Sequence, residues 1–521
     1  MQLGTDGSEV LLEPIGADEC YKGDVFRFSN RMNRLLGIRE IDLHIEEISG
    51  KDKTIDVVVD IFNRVNSGGT KLSKGDLALA KICADWPEAR TEMRIALGRW
   101  KKQGFDFNLD WLLRNINTVL NGEAKFLHLH DAEPSKVQDG LKRSTKAIEA
   151  ALNMIGGRLG LDHDRVLFGR FAIPVIANYL DRRGGALPAK DRDRLLFWFA
   201  QCGMWGRYSQ STESTIDQDL GAIEELDGGL DRLIDQLALS QGGLKVQPGH
   251  FSGWSLGARF YPVLYMLTRV SEAKDWGLGL PLKQNMLGQM SRLEVHHIFP
   301  KSRLYKASQR YKRPEVNAVA NFCFLTKDTN LDISNKLPEV YFPQVEAAHP
   351  GALASQWIPD DPQLWRVDRY RDFLVARQEL LAKATNTFLA ELLHGDTAIL
   401  DQAHATPIAG ISETVILEPD GDEWAQANLN SWVKKQGFAV GIEFFELSDP
   451  DTSEPVAVLD LAWPDGLQEG LGQKVAYIAD ADPAVTAAAN RLGYRCFASQ
   501  AELKRFVDRE VLASEELEAG Q

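Results

Sequence analysis

EVHHIFPKS, residues 294–302, and NFCFLTKDTNLDISNK, residues 321–336, decide how this chain is read. The first stretch sets two of the chain's ten histidines side by side at what reads as the end of a short strand. Pro300 and Lys301 follow closely. The second stretch holds a short apolar strand, FCFLT, then Asp-Thr-Asn, then the start of a helix. A hairpin followed by a helix carries the end of the first strand to the helix. His296, His297 and Asn330 are therefore expected to converge. Two adjacent histidines alone are more often surface polar residues than a site. The whole arrangement is far more specific.

The residue types suit phosphodiester hydrolysis. That reaction needs a nucleophile made from water, and a neutral imidazole is the natural base near pH 7. It also needs a cation where charge develops on the phosphate and the leaving oxygen. His297 is the candidate base, with His296 and Asn330 as candidate metal ligands. Glu294 lies two residues before His296, so strand periodicity puts it on the same face as an extra ligand or an orienting carboxylate. Asn321 is expected to tether the loop holding His297 and fix its tautomer. Lys301, Arg303 and Lys336 are candidate phosphate contacts.

The arrangement resembles the HNH, or ββα-metal, nuclease motif: a ligand–His–Ile–x–Pro box, a central Asn, and an Asn ligand at the helix. The family's first ligand is often Asp; His296 stands in that place here. The resemblance implies a divalent metal, Mg²⁺ or Mn²⁺, and the nitrogen ligand adds Ni²⁺ to the candidates. Beside that box, IFNRVNSGGTKLSKGDLALAKI (61–82) and ISNKLP (333–338) make residues 20 to about 395 resemble the GmrSD family of modification-dependent (type IV) restriction endonucleases. That family joins a nucleotide-using, ParB-like N-terminal module to an HNH-type module. The Asp-Gly-Gln-Gln-Arg motif of the N-terminal module is not found, so a truncated module is expected and its nucleotide use stays open. Arg64, Asn66, Ser67, Gly68 and Gly69 are candidates for a retained scaffold or phosphate-contacting role. The implied activity is metal-dependent cleavage of DNA, including modified phage DNA, in cellular defence. A ribonuclease using the same site and a non-catalytic DNA-sensing regulator are the alternatives.

Composition frames these readings. At 44% hydrophobic and 26% charged, the 521 residues suit a globular protein of more than one domain. The net charge of −15 opposes a general nucleic-acid footprint. From Lys283 to Arg313, however, eight basic residues face one acidic residue, Glu294. Such a run is usually a solvated face, but here it surrounds the histidine pair. Cys20, Cys83, Cys202, Cys323 and Cys496 form no CxxC pair, which argues against a disulfide framework. No apolar run approaches the roughly 18 residues of a membrane span, and the first residues lack a leader pattern. A cytoplasmic location is expected.

The expected fold class is α+β and multidomain. It comprises a truncated ParB-like module (1–85), a helical region (86–285), an HNH-type module with a closing helix (286–395), a linker (396–412) and a small α/β domain (413–521). Helical spacing is clear in 91–103, 107–121, 135–155, 170–183 and 190–205. GRYSQSTESTIDQDL (206–220) reads as a helix-capping loop, with Arg207, Tyr208, Ser209 and Ser211 as weaker phosphate candidates. Residues 365–393 read as one long helix. In the last domain, VLDLAWPDGLQEGLGQKVAYIAD loosely resembles the core strands of the PD-(D/E)xK nuclease fold, through Asp460 and Lys474. The place of the second carboxylate is apolar and Asp480 comes late. A structural hairpin is the stronger reading, making this a degenerate nuclease domain for DNA contact or assembly, or a partner-binding domain.

Overall fold

Amphipathic spacing builds a succession of helices in the first half of the chain. These are α1 (Lys74–Asp85), α2 (Ala89–Lys102), α3 (Leu109–Asn121), α4 (Pro134–Leu159), α5 (Ile173–Arg182), α6 (Ala189–Met204), α7 (Thr212–Ala222), α8 (Gly229–Gln241) and α9 (Tyr261–Val270). The computed structural model describes residues 74–126, 129, 132–209, 211–241, 243–253, 259–283, 293–309, 311–394, 421–436, 438–448, 455–464, 466–467, 473–478 and 483–507. All belong to one unit, Val59–Gln521. Arg64, Asn66, Ser67, Gly68 and Gly69 lie outside the described residues, as does Asp480.

Local chemistry sets the helix ends. The Asn108 side chain accepts from the Trp111 N–H to open α3, and Gly122 closes it in the left-handed region. Pro134 opens α4 and Gly160 ends it at φ +69°. A Cβ on Gly160 would come within 2.3 Å of the Arg269 Cβ, so packing and backbone both demand glycine there. The expected helix over 170–183 starts with a 3₁₀ turn, Arg170–Ala172, before α5 proper.

The second half places a small sheet against these helices. Strand β1 (Leu293–His297) is followed by α10 (Lys301–Lys306), α11 (Arg313–Val316), β2 (Phe322–Thr326), α12 (Lys327–Ile333), α13 (Pro338–Ala348), α14 (Ala352–Ser355) and α15 (Tyr370–His394). Strands β1 and β2 are antiparallel, with His296 opposite Cys323 and His297 opposite Phe322. The long helix starts later than expected, at Tyr370, because two 3₁₀ turns with extended backbone at Arg366 between them occupy 362–369. One hydrophobic cluster runs from Ala78 to Leu392, across the boundary expected at 285/286.

The C-terminal region is α16 (Gly421–Lys435), β3 (Ile442–Ser448), β4 (Pro455–Trp463), β5 (Lys474–Tyr477), α17 (Pro483–Arg491), β6 (Tyr494–Phe497) and α18 (Gln500–Phe506). The sheet order is β3-β4-β5-β6; the first two pairings are antiparallel and the last is parallel. Leu461, Trp463, Val475 and Tyr477 pack with Leu429, Val433 and Leu503 on one face. Leu459, Ala462, Ala476 and Ile478 pack with Val485, Ala488 and Ala489 on the other. The sheet is thus covered by helices on both sides. The first strand begins four residues after Phe438, because Asn430 pairs with both backbone groups of Gly441 and holds that approach out of the ladder. A Cβ at Gly441 would lie 2.7 Å from the Trp463 ring.

The chain is therefore a mixed α+β protein, mostly helical. Among the described residues no helix is long and apolar enough to cross a membrane.

Candidate functional site

The pleat of β1 sends Glu294 and His296 out of the same face, where the first turns of α12 cross them. The His296 Nδ1 lies 2.7 Å from the Asn330 Oδ1. The other end of that amide, Nδ2, donates to the Glu294 Oε2 at 2.8 Å. Three of the expected site residues thus form one line, carboxylate to amide to imidazole. Asn330 lies inside α12 rather than ahead of it, since the helix begins at Lys327. Glu294 contacts the amide of Asn330, which gives it the geometry of an orienting group.

His296 is 3% exposed, between the edges of Trp276 and Tyr341. Burial pushes its pKa down to about 4, against the smaller opposing effect of the Asn330 contact. The ring is therefore neutral at physiological pH, the state a metal ligand needs. Its Nε2 is a buried polar atom that meets no hydrogen-bond partner among the described residues.

His297 follows in the strand and so leaves by the other face. Its ring packs edge-on against Phe322, centroids 4.8 Å apart, and its Nε2 lies 3.2 Å from the Asn317 Oδ1. Convergence of His297 with Asn330 was expected from the hairpin; the contacts with Asn317 and Phe322 place this ring on the opposite side of the pleat. Asn321 is fully buried. Its Oδ1 accepts from the Phe299 N–H at 2.9 Å, and its Nδ2 donates to the carbonyls of Phe299 and Val316. The Ile298 N–H bonds the Asn321 carbonyl. Asn321 therefore clamps the turn directly after the histidine pair, through backbone, while Asn317 meets the imidazole.

Sequence reasoning missed the supports beneath these residues. The buried Asp275 carboxylate accepts from the N–H groups of Gly277, Leu278 and Thr326 and from the hydroxyls of Thr326 and Thr329. It thereby pins the start of α12. Tyr341 donates to the Ile298 carbonyl. Arg377, fully buried in α15, donates to the carbonyls of Ala320, Phe322 and Gln356. Burial pulls its pKa down to about 10, so it still carries its charge at neutral pH. None of these contacts follows from a periodic pattern or a neighbouring motif. The capping appetite of Thr326 and Thr329 was the one available hint.

The candidate phosphate contacts sit on the rim. Lys301 is half-buried at the start of α10. The Arg303 Nε donates to the Asn335 carbonyl at 3.3 Å, and Lys336 lies 3.6 Å from Asp332, both exposed. Exposed pairs of this kind are worth little and exchange readily for another anion. Arg207 differs: it forks onto the buried Asp219, which also accepts from the Tyr208 hydroxyl. These two groups are spent inside the fold, so the phosphate reading of that loop gives way to a structural one.

A divalent cation fits the His296–Asn330 pair. Neighbouring ligands around a hard octahedral cation stand roughly 3 Å apart, close to the observed separation. One imidazole nitrogen and one amide oxygen make a sparse set, to be completed by water and phosphate. Among the described residues no three His, Cys, Asp or Glu side chains gather as a denser metal cage. In the C-terminal sheet, Asp460 is buried within β4, and the Lys474 ammonium sits over the Tyr494 ring.

No protein-family model matches the chain, and no curated protein matches it.

Proposed function

We propose that the protein is a metal-dependent DNA endonuclease of the HNH type, serving defence in the manner of the GmrSD enzymes. The observation that carries this reading is the Glu294–Asn330–His296 line spanning β1 and α12, with a clamped turn directly behind it. A neutral, buried imidazole beside an amide oxygen is hard to account for as packing alone. An apolar pair would fill the space without a polar atom left unpartnered.

In this reading His296 and Asn330 hold the cation, and Glu294 keeps the Asn330 amide from turning over. When bound, the cation stabilises charge on the phosphate and the leaving oxygen. His297, half-buried, takes the proton of the attacking water. Asn321 fixes the turn that carries it. Lys301, Arg303 and Lys336 meet the phosphate backbone, exchanging their weak present contacts. The order of strands in the C-terminal sheet supports a nuclease-derived domain that contacts DNA or a partner, without a cutting role of its own. Nucleotide use belongs to the residues around Asn66 and is not part of this proposal.

Supercoiled plasmid incubated with the purified chain and Mg²⁺ or Mn²⁺ should be nicked. A chelator should stop the reaction, and His297→Ala should remove it. No cleavage under any divalent metal would overturn the reading. Faster cleavage of structured RNA than of plasmid would favour the ribonuclease alternative.

A further inference from the structure

We infer that Asn317 is a positioning residue for the site, selecting the tautomer of His297 so that Nδ1, rather than Nε2, acts as the base. This rests on the nuclease reading for its catalytic meaning, but the tautomer itself is a property of the chain alone. An imidazole can serve as a base only through the nitrogen that lacks a proton. The Nε2 of His297 lies 3.2 Å from the Asn317 Oδ1. An amide oxygen only accepts, so the proton of the neutral ring belongs on Nε2, and the lone pair falls to Nδ1.

The surroundings hold that choice in place. Phe322 packs edge-on against the ring and limits its rotation about χ2. Asn317 sits four residues before Asn321, on a segment tied down at several points. The Ala318 N–H bonds the Glu315 carbonyl, the Val319 N–H bonds the Gly253 carbonyl, and the Asn321 N–H bonds the Ala318 carbonyl. The clamp that Asn321 makes on Phe299 and the contact that Asn317 makes on His297 therefore belong to one rigid piece. Asn321 sets where the turn is; Asn317 sets which nitrogen is the base. A carboxylate-to-imidazole contact performs the same service in hydrolytic triads; here a neutral amide does it.

The test uses the full chain with ¹⁵N-labelled histidine. Long-range ¹H–¹⁵N spectra at neutral pH assign the tautomer of His297, identified by its absence in His297→Ala. Wild type should show the Nε2–H form. Asn317→Asp, whose carboxylate still accepts, should keep it, and Asn317→Leu, similar in size but unable to accept, should lose it in favour of a mixture. In plasmid nicking, Asn317→Leu should lower kcat by about 10- to 100-fold with KM for DNA nearly unchanged, and Asn317→Asp should stay within a few-fold of wild type. An Nδ1–H form in wild type would overturn the inference, as would a tautomer unmoved in Asn317→Leu, or equal losses in the Leu and Asp variants. If wild type cuts nothing, the nuclease reading falls while the spectra still judge the tautomer.

Discussion

The two sheets of this protein are built on opposite principles. Beneath the C-terminal four-stranded sheet, both faces are sealed by apolar side chains from α16, α17 and α18. The two-stranded sheet of β1 and β2 instead carries buried polar groups on its own strands and at its margins: His296, Asn321, Thr326 and, reaching in from elsewhere, Asp275 and Arg377. A sealed sandwich gains stability from area removed from water and asks little of geometry. A polar seam gains little net energy and fixes positions closely, because every donor must find its acceptor. Chemistry is expected where positions have been fixed.

The sharpest way to break that contrast is at the seam. His297→Ala should reduce plasmid nicking by about 10²- to 10⁴-fold, the usual worth of a general base; a milder loss would move the chemistry elsewhere. Acid should also act on the seam. The folded His296 has its pKa depressed to about 4, while the unfolded chain titrates near the ordinary 6.5. Between these values the unfolded state takes up a proton that the folded state refuses. Stability is therefore full above about pH 6.5 and falls as pH drops towards 4, by about 3 kcal/mol in the presence of a chelator. Urea titrations across that range should show the decline, flattened in His296→Asn.

Asn321→Ala strips three side-chain hydrogen bonds from a buried turn and should cost about 2 kcal/mol, read as a lower urea midpoint with an unchanged slope. Cleavage should drop with it, since the turn positions His297. At the sandwich the expected effect is the smallest. Asp460→Asn and Lys474→Ala should leave nicking within about twofold of wild type, a change well under 1 kcal/mol. A large loss from either would erase the distinction between the two sheets.

Much of this was open to reading from sequence. The strand alternation of Glu294 and His296, and the spacing that returns Asn330 to them, follow from period two and a short hairpin. The α/β alternation of the C-terminal region is legible for the same reason, each element carrying its own period. The unread part came from afar. Asp275 lies 51 residues from Thr326 and Arg377 55 residues from Phe322, and nothing local announces such partners. Asn317 was hidden differently: it sits near Asn321, yet no pattern tells which of two asparagines turns towards an imidazole. The late starts of α15 and β3 were hidden by continuous apolar patterns, which say where side chains point but not where the backbone ladder opens.

The Asp275, Tyr341 and Arg377 contacts also bear on how this piece of protein could be handled. The 41 residues from Leu293 to Ile333 would, if cut out, leave behind the carboxylate under α12, the phenol on Ile298 and the guanidinium under β2. The motif is not a portable cassette. Transplanting it into another scaffold means carrying three distant anchors along, or designing new ones before any reactivity can be asked of it.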